Sequence, residues 1–174
     1  EFRRVLFRSE LYKDNDFTYG LMIEHLRKLL QLGKLSDSQL DILRNMSLLP
    51  VSGVLKNSFK SWMKLDSLTD VNHLIKYGFV NEDMDNRKIS LHSLLQEVIT
   101  IETAPTVTAC QTLLNNLHLI CLAHGLELRR PENIIASLIS VSERIIVDDG
   151  AYFLLFLQDM FPYLDKYLVS DYLP

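Results

Sequence analysis

The feature that most constrains the fold is a change of hydrophobic period between Gly78 and Leu91. Two short β-type runs, Phe79–Val80 and Lys88–Leu91, flank a polar tip at Glu82–Arg87. Short apolar runs separated by turn residues predict a β-hairpin. Apolar residues recur at helical spacing before the hairpin, and the same spacing resumes at Leu91. Three helices, a hairpin and a closing helix in this order predict a winged helix, a variant of the helix-turn-helix plan.

Four amphipathic helices are predicted before the hairpin, and the last three of them belong to the winged helix. Ser36 and Gln39 have the spacing of a capping box, which places the start of the second helix. The turn Val51–Gly53 separates it from the third, and Gly33 and Gly78 end the first and fourth helices. The apolar faces of the four helices run from Tyr19 to Leu30, from Leu40 to Met46, from Leu55 to Met63 and from Leu68 to Ile75.

The sequence after the hairpin predicts a second set of helices. A threonine-rich stretch with Pro105 predicts a linker at residues 101–108. The first of these helices ends at Gly125, and the second begins at Pro131. The third follows the turn Asp148–Gly150 and extends to Pro162. The sequence shows no internal self-similarity at the periods of known helical repeats. The predicted fold is therefore mainly α, with a winged helix followed by an antiparallel helical array.

Composition bounds the class of protein. The chain is 48% hydrophobic, which suffices for packed cores, and its formal charge is −4. An acidic balance argues against a surface that neutralises phosphates, so no nucleic acid is expected as a partner. Two cysteines without a signal peptide indicate a reduced, cytoplasmic protein. The most apolar stretch, Ala151–Leu157, is shorter than the roughly 20 residues that cross a bilayer, so no membrane partner is expected.

Residues 1–9 resemble the translated end of a sequencing adapter. We therefore set them aside from fold reasoning and expect the natural chain to begin near Glu10. The alternative is a real basic amphipathic segment. If the adapter interpretation holds, Phe2, Leu6 and Phe7 lie outside the core.

Two stretches carry a family resemblance, Leu35 through Val54 and Leu74 through Val98. They resemble the winged-helix region of bacterial STAND (NB-ARC) nucleotide-dependent signalling proteins with tetratricopeptide repeats. In that family a short motif follows the wing, and Leu91-His92-Ser93 stands at its place here. The resemblance implies that His92 contacts the β-phosphate of bound ADP. Ser93 replaces the aspartate or proline of the family, so no role is carried over to that position.

The same resemblance implies how the chain is organised. Residues 10–35 would link to an upstream nucleotide-binding domain, residues 36–100 would form the winged helix, and residues 109–174 would begin a helical arm that binds a partner protein. The sequence has no Gly-x-x-x-x-Gly-Lys-Ser/Thr loop and no strand that ends in paired acidic residues for magnesium. We therefore expect no catalysis and no cofactor in this fragment, with ADP or ATP and Mg²⁺ bound by the parent ATPase.

His92 and a Cys/His cluster are the two candidate sites. The position of His92 where the wing enters the last helix suits an anion contact, because helix N-termini attract negative charge. A structural histidine that backbone groups satisfy is the alternative. His118, Cys121 and His124 have a spacing that a metal could use together with Cys110. Core packing explains the two cysteines more simply, since both continue a leucine stripe.

Three functions remain open from the sequence. The first is the switch module of a nucleotide-dependent signalling ATPase, and the second is a helical scaffold that binds proteins. The third is a winged-helix regulator that binds DNA. The predicted recognition helix, Ser67–Tyr77, offers only Lys76 against Asp70, and its wing tip is acidic, which argues against DNA.

Overall fold

The computed structural model describes residues 20–21, 23–25, 32–123 and 131–168, and of residues 131–133 and 166–168 only the backbone. Residues 20–21 and 23–25 are helical, and Leu32–Lys34 forms a 3₁₀ turn. The remainder of the predicted first helix, and the adapter-like residues 1–9, lie outside the described residues.

Helix α1 (Asp37–Ser47) begins at the predicted capping box. The hydroxyl of Ser36 accepts a hydrogen bond from the backbone N–H of Gln39 at 3.2 Å. The side-chain oxygen of Gln39 accepts one from the N–H of Ser36, also at 3.2 Å. These two bonds satisfy backbone donors that have no partner inside the helix, so local sequence alone fixes where α1 starts.

The winged-helix topology follows α1. Strand β1 (Val54–Leu55) leads into helix α2 (Lys56–Trp62), and helix α3 (Thr69–Lys76) precedes strands β2 (Asn81–Asp83) and β3 (Lys88–Ser90). The three strands form an antiparallel sheet in the order β1-β3-β2. Helix α4 (Ser93–Thr103) follows β3 and packs against α1. The mainly helical fold with a small β-hairpin wing is confirmed.

Strand β1 was not expected from the sequence. The third predicted helix included Leu55, but this residue lies in the strand and pairs with Lys88, while its neighbour Val54 pairs with Ile89. A strand of two residues is too short to show an alternating pattern. Only the tertiary pairing with β3 reveals it.

The first strand of the wing also differs from the prediction, which placed it at Phe79–Val80. The backbone N–H groups of both residues point to the carbonyl of Leu74, at 3.0 and 3.3 Å. Gly78, with φ +81°, donates to Ile75. This is the Schellman arrangement that ends a helix, and it keeps Phe79 and Val80 out of the sheet. The strand therefore begins two residues later, and the turn at residues 84–87 is shorter than the predicted tip.

Three helices form the second part of the chain: α5 (Gln111–Leu122), α6 (Pro131–Arg144) and α7 (Gly150–Leu168). Contacts between α5 and α7 advance in the same direction, since Tyr152 contacts Asn115 and Asp159 contacts His118. The two helices are therefore parallel, and α6 returns the chain between them. Successive helices reverse direction, as an antiparallel array requires. Helix α7 continues beyond Pro162, where the sequence analysis placed its end.

The predicted linker at residues 101–108 is partly exposed and partly packed into the core. Its first three residues complete α4, and Ala104 ends that helix in the left-handed conformation. Pro105 and Val107 are buried, and Thr106 forms a parallel β-bridge with Ile146. The hydrophobic core runs without interruption from α1 to α7. The division into two domains stays a prediction, and the joint between its two halves is packed.

Candidate functional site

His92 is the N-cap residue of α4. Its backbone is extended (φ −64°, ψ 140°), and its Nδ1 accepts a hydrogen bond from the N–H of Leu94 at 3.3 Å. The ring is half-buried between the end of β3 and the first turn of α4. An N-cap side chain usually supplies an oxygen acceptor, and here an imidazole nitrogen takes that role. His92 therefore has the structural role described above, that of a histidine whose ring is hydrogen-bonded to a backbone group.

The cap bond also fixes which nitrogen carries the proton in the neutral ring. Because Nδ1 accepts from Leu94, the neutral tautomer assigned from this bond has its proton on Nε2. An Nε2–H group is a donor, and a phosphate oxygen is an acceptor. The capping role and the implied phosphate contact therefore use different nitrogens.

A buried glutamine holds the helix that His92 caps. Gln96 is 1% exposed, and its Nε2 donates to the carbonyls of Ser47 and Leu49 at 2.7 and 2.6 Å. These carbonyls lie at and just beyond the C-terminus of α1, where no intrahelical donor reaches them. Gln96 thus fixes α4 relative to α1. The sequence analysis did not single out Gln96, because its role depends on a carbonyl pair 47 and 49 residues earlier.

The wing is ordered by its acidic residues. Lys56 forms an ion pair with Glu82 at 2.6 Å, which ties the start of α2 to β2. Asp83 accepts hydrogen bonds from the N–H groups of Asp85 and Asn86 and from the Asn86 amide. The bond from the Asn86 side chain, followed by that from its backbone, lowers the pKa of the Asp83 carboxyl. The acidic side chains of the tip therefore stabilise the turn itself.

A groove of about 670 Å³ runs between the wing and the start of α2. Its lining combines charges of both signs with two apolar side chains, namely Leu55, Lys56, Asn57, Glu82, Met84, Asp85, Asn86 and Arg87. His92 does not line it, so the groove and the predicted anion contact are separate features.

The outer face of α3 bears on the DNA-binding alternative. Asp70, which the sequence analysis counted against DNA, is turned toward α1, where it accepts hydrogen bonds from Ser38 at 2.7 Å and from Gln39 at 3.5 Å. The exposed side of α3 shows Asn72, His73 and Lys76. This face is not acidic. It offers a single lysine, Lys76, for contacts with phosphate.

The residues of the Cys/His cluster do not come together: His118 forms a hydrogen-bonded pair with Asp159, and the two cysteines lie in the core. His118 Nε2 lies 2.5 Å from Asp159 Oδ2, and the imidazole meets the rings of Tyr152 and Phe156 edge-on. Burial raises the pKa of both Cys110 and Cys121 to about 12. Such thiols are protonated and poor metal ligands at neutral pH. His124 lies outside the described residues, and among the described residues no group of three or more His, Cys, Asp or Glu is arranged to hold a metal.

No helix in the described part of the chain combines the length and apolarity needed to cross a membrane. Comparisons of the chain with protein-family models, with curated proteins and with solved structures found no match.

Proposed function

We propose that this chain is a non-catalytic part of a cytoplasmic nucleotide-dependent signalling switch. In this account the winged helix packs on a nucleotide-binding domain, and the helical arm binds a partner protein. His92 reports whether ADP is present. The single observation that carries the proposal is the position of His92, half-buried at the N-terminus of α4 directly after the wing.

The geometry of His92 supports a sensing role in two ways. The N-terminus of α4 attracts anions through its backbone N–H groups and the positive end of its dipole. The cap bond to Leu94 holds the ring in one orientation, so a contact from Nε2 to a phosphate would need little further ordering. A ligand that reaches this contact in only one conformation of the protein would shift the balance between two states.

The family and its nucleotide can be tested without mutagenesis. We expect the genomic reading frame that precedes Glu10 to encode a phosphate-binding loop, Gly-x-x-x-x-Gly-Lys-Ser/Thr, between a strand and a helix. An uninterrupted upstream frame without that loop would contradict the switch and favour the second function, a helical scaffold that binds proteins. The continuous core from α1 to α7 is compatible with either.

DNA binding is the third candidate, and the outward face of α3 makes it worth testing. We expect the full chain to cause no electrophoretic shift of duplex DNA at moderate salt, because Lys76 alone among the exposed α3 side chains can neutralise a phosphate. A tight shift that weakens with salt and is lost in Lys76→Ala would support a DNA-binding regulator instead.

A further inference from the structure

We infer that Gln96 is the positioning residue of the proposed phosphate contact, because it holds the ring of His92 through the end of α1. This inference rests on the proposed function. Both residues belong to the first turn of α4, where the backbone N–H of Gln96 donates to the carbonyl of His92 at 2.9 Å. The N–H of Leu94 donates to Nδ1 of the ring. The ring and the glutamine are therefore parts of one hydrogen-bonded turn.

The side chain of Gln96 connects this turn to two buried carbonyls. Its Nε2 donates to Ser47 and Leu49, residues that are 0% and 3% exposed. A glutamine amide has two hydrogens to donate, so one side chain satisfies both carbonyls. A buried carbonyl left without a donor is costly. Hydrogen bonds are directional, whereas apolar packing is not, so Gln96 specifies the position of this turn on α1 more narrowly than packing alone.

The strand that precedes His92 is attached to the same part of α1. Strand β3 ends two residues before His92 and pairs with β1. Strand β1 follows α1 through a tight turn, in which the N–H of Gly53 donates to the carbonyl of Pro50 at 2.9 Å. His92 therefore lies between two attachments to residues 47–55, the sheet on one side and Gln96 on the other. A shift of this segment would displace the ring, so the end of α1 regulates the phosphate contact.

A double-mutant cycle on the full chain, measured by urea unfolding, tests this inference. Gln96→Met keeps the length of the side chain but removes its donors, and we expect it to raise the unfolding equilibrium constant at least about tenfold. If Gln96 holds the ring, the cap at His92 is already weakened in this variant. His92→Ala should then raise the constant at least about threefold less in Gln96→Met than in the unmodified chain.

Ile99→Ala is the matched control. Ile99 is fully buried on the same helix and lies about 10 Å from His92 along the helix axis. This variant should destabilise the chain through loss of packing. Its effect on the unfolding equilibrium constant should multiply with that of His92→Ala, because distant sites act independently.

Nitrogen NMR of the His92 ring gives a readout that loss of stability alone does not change. At about pH 8 an ordinary imidazole is neutral. We expect a single tautomer, with the proton on Nε2, in the unmodified chain and in Ile99→Ala. Gln96→Met should show both tautomers in exchange, because Nδ1 no longer has a fixed donor. Gln96→Asn, which is one methylene shorter, replaces Gln96→Met in both measurements if the latter does not fold.

Independent effects of Gln96→Met and His92→Ala would overturn the inference, and so would a single ring tautomer in Gln96→Met. Coupling or mixed tautomers in Ile99→Ala would overturn it as well, because any loss of stability would then disturb the ring. None of these measurements involves nucleotide. The positioning of the ring and the proposed contact with ADP can therefore fail or stand separately.

Discussion

Gly53 and Gly78 share a backbone conformation but differ in their surroundings. Both have φ +81°, in the left-handed region that side chains disfavour. A Cβ at Gly53 would lie 2.9 Å from the carbonyl oxygen of Ile89, on strand β3, whereas a Cβ at Gly78 would meet nothing within 4 Å. Gly53 therefore serves the close approach of the turn to the sheet, while Gly78 serves only the end of α3.

This difference makes a matched pair of substitutions. Gly78→Ala should lower the free energy of unfolding by about 1–2 kcal/mol, the cost of a left-handed non-glycine residue. Gly53→Ala should cost about 1–3 kcal/mol more, because the new methyl group also overpacks against β3. Urea denaturation of the two variants beside the unmodified chain measures both values. Equal losses would show that the contact with Ile89 relaxes without cost.

Several residues illustrate what a sequence reveals locally. The capping box of Ser36 and Gln39, the stop at Gly78 and the buried cysteines could be predicted, because each depends on neighbours within a few positions. The orientation of Asp70 toward α1 and the bond from Gln96 to Ser47 could not be, since their partners lie 32 and 49 residues away.

At the scale of elements, α4 begins at a cap that the sequence placed correctly but described incompletely. The prediction located His92 at the entry to this helix and left a ligand role and a structural role open. The structure adds the bond from the Leu94 N–H to Nδ1. Histidine is not among the usual N-cap residues, so composition gave no signal for this bond.

The cap predicts how two substitutions of His92 separate. His92→Ala removes the acceptor and should lower the free energy of unfolding of this chain by about 0.5–2 kcal/mol. His92→Asn should restore most of that loss, because the asparagine side-chain oxygen is a good N-cap acceptor. Thermal or urea unfolding measures both. If alanine were neutral, or asparagine as destabilising as alanine, the hydrogen bond to Leu94 would contribute nothing to stability.

The short strands explain which elements were missed. Strand β1 has two residues, and β2 begins after a Schellman turn that occupies the apolar pair Phe79 and Val80. Neither the pairing with β3 nor the competition of a helix end for those backbone groups appears in a hydrophobic pattern. The longer periodic segments, α1, α5 and α6, were located because several turns of a helix repeat the same signal.

At the scale of the whole molecule, the winged helix and the helices that follow it pack against each other, although the sequence analysis predicted them as separate domains. Helix α2 packs on α5, and the side-chain amide of Asn116 donates to the carbonyl of Trp62 at 2.7 Å. Arg44 on α1 donates to the carbonyl of Thr103 at the end of α4. The threonine-rich, proline-containing stretch predicted a linker, but its Pro105 and Val107 are buried, and its Thr106 forms a β-bridge with Ile146.

Such packing gives the proposed switch a mechanical basis. If α4 and the helical arm move as one body, a contact made by His92 changes the position of the arm. The energy required is modest. One hydrogen bond to a charged group contributes roughly 1.5–3 kcal/mol, enough to shift a two-state balance about ten- to a hundredfold.

The rate of ADP release tests the central claim most directly. The measurement uses a longer protein in which the proposed nucleotide-binding domain precedes this chain, and compares His92→Asn with the unmodified protein. Because asparagine keeps the cap but lacks Nε2, we predict a nearly unchanged melting temperature and ADP release at least about tenfold faster. Unchanged ADP release in a variant of normal stability would contradict the account, because His92 would then be a helix cap and nothing more.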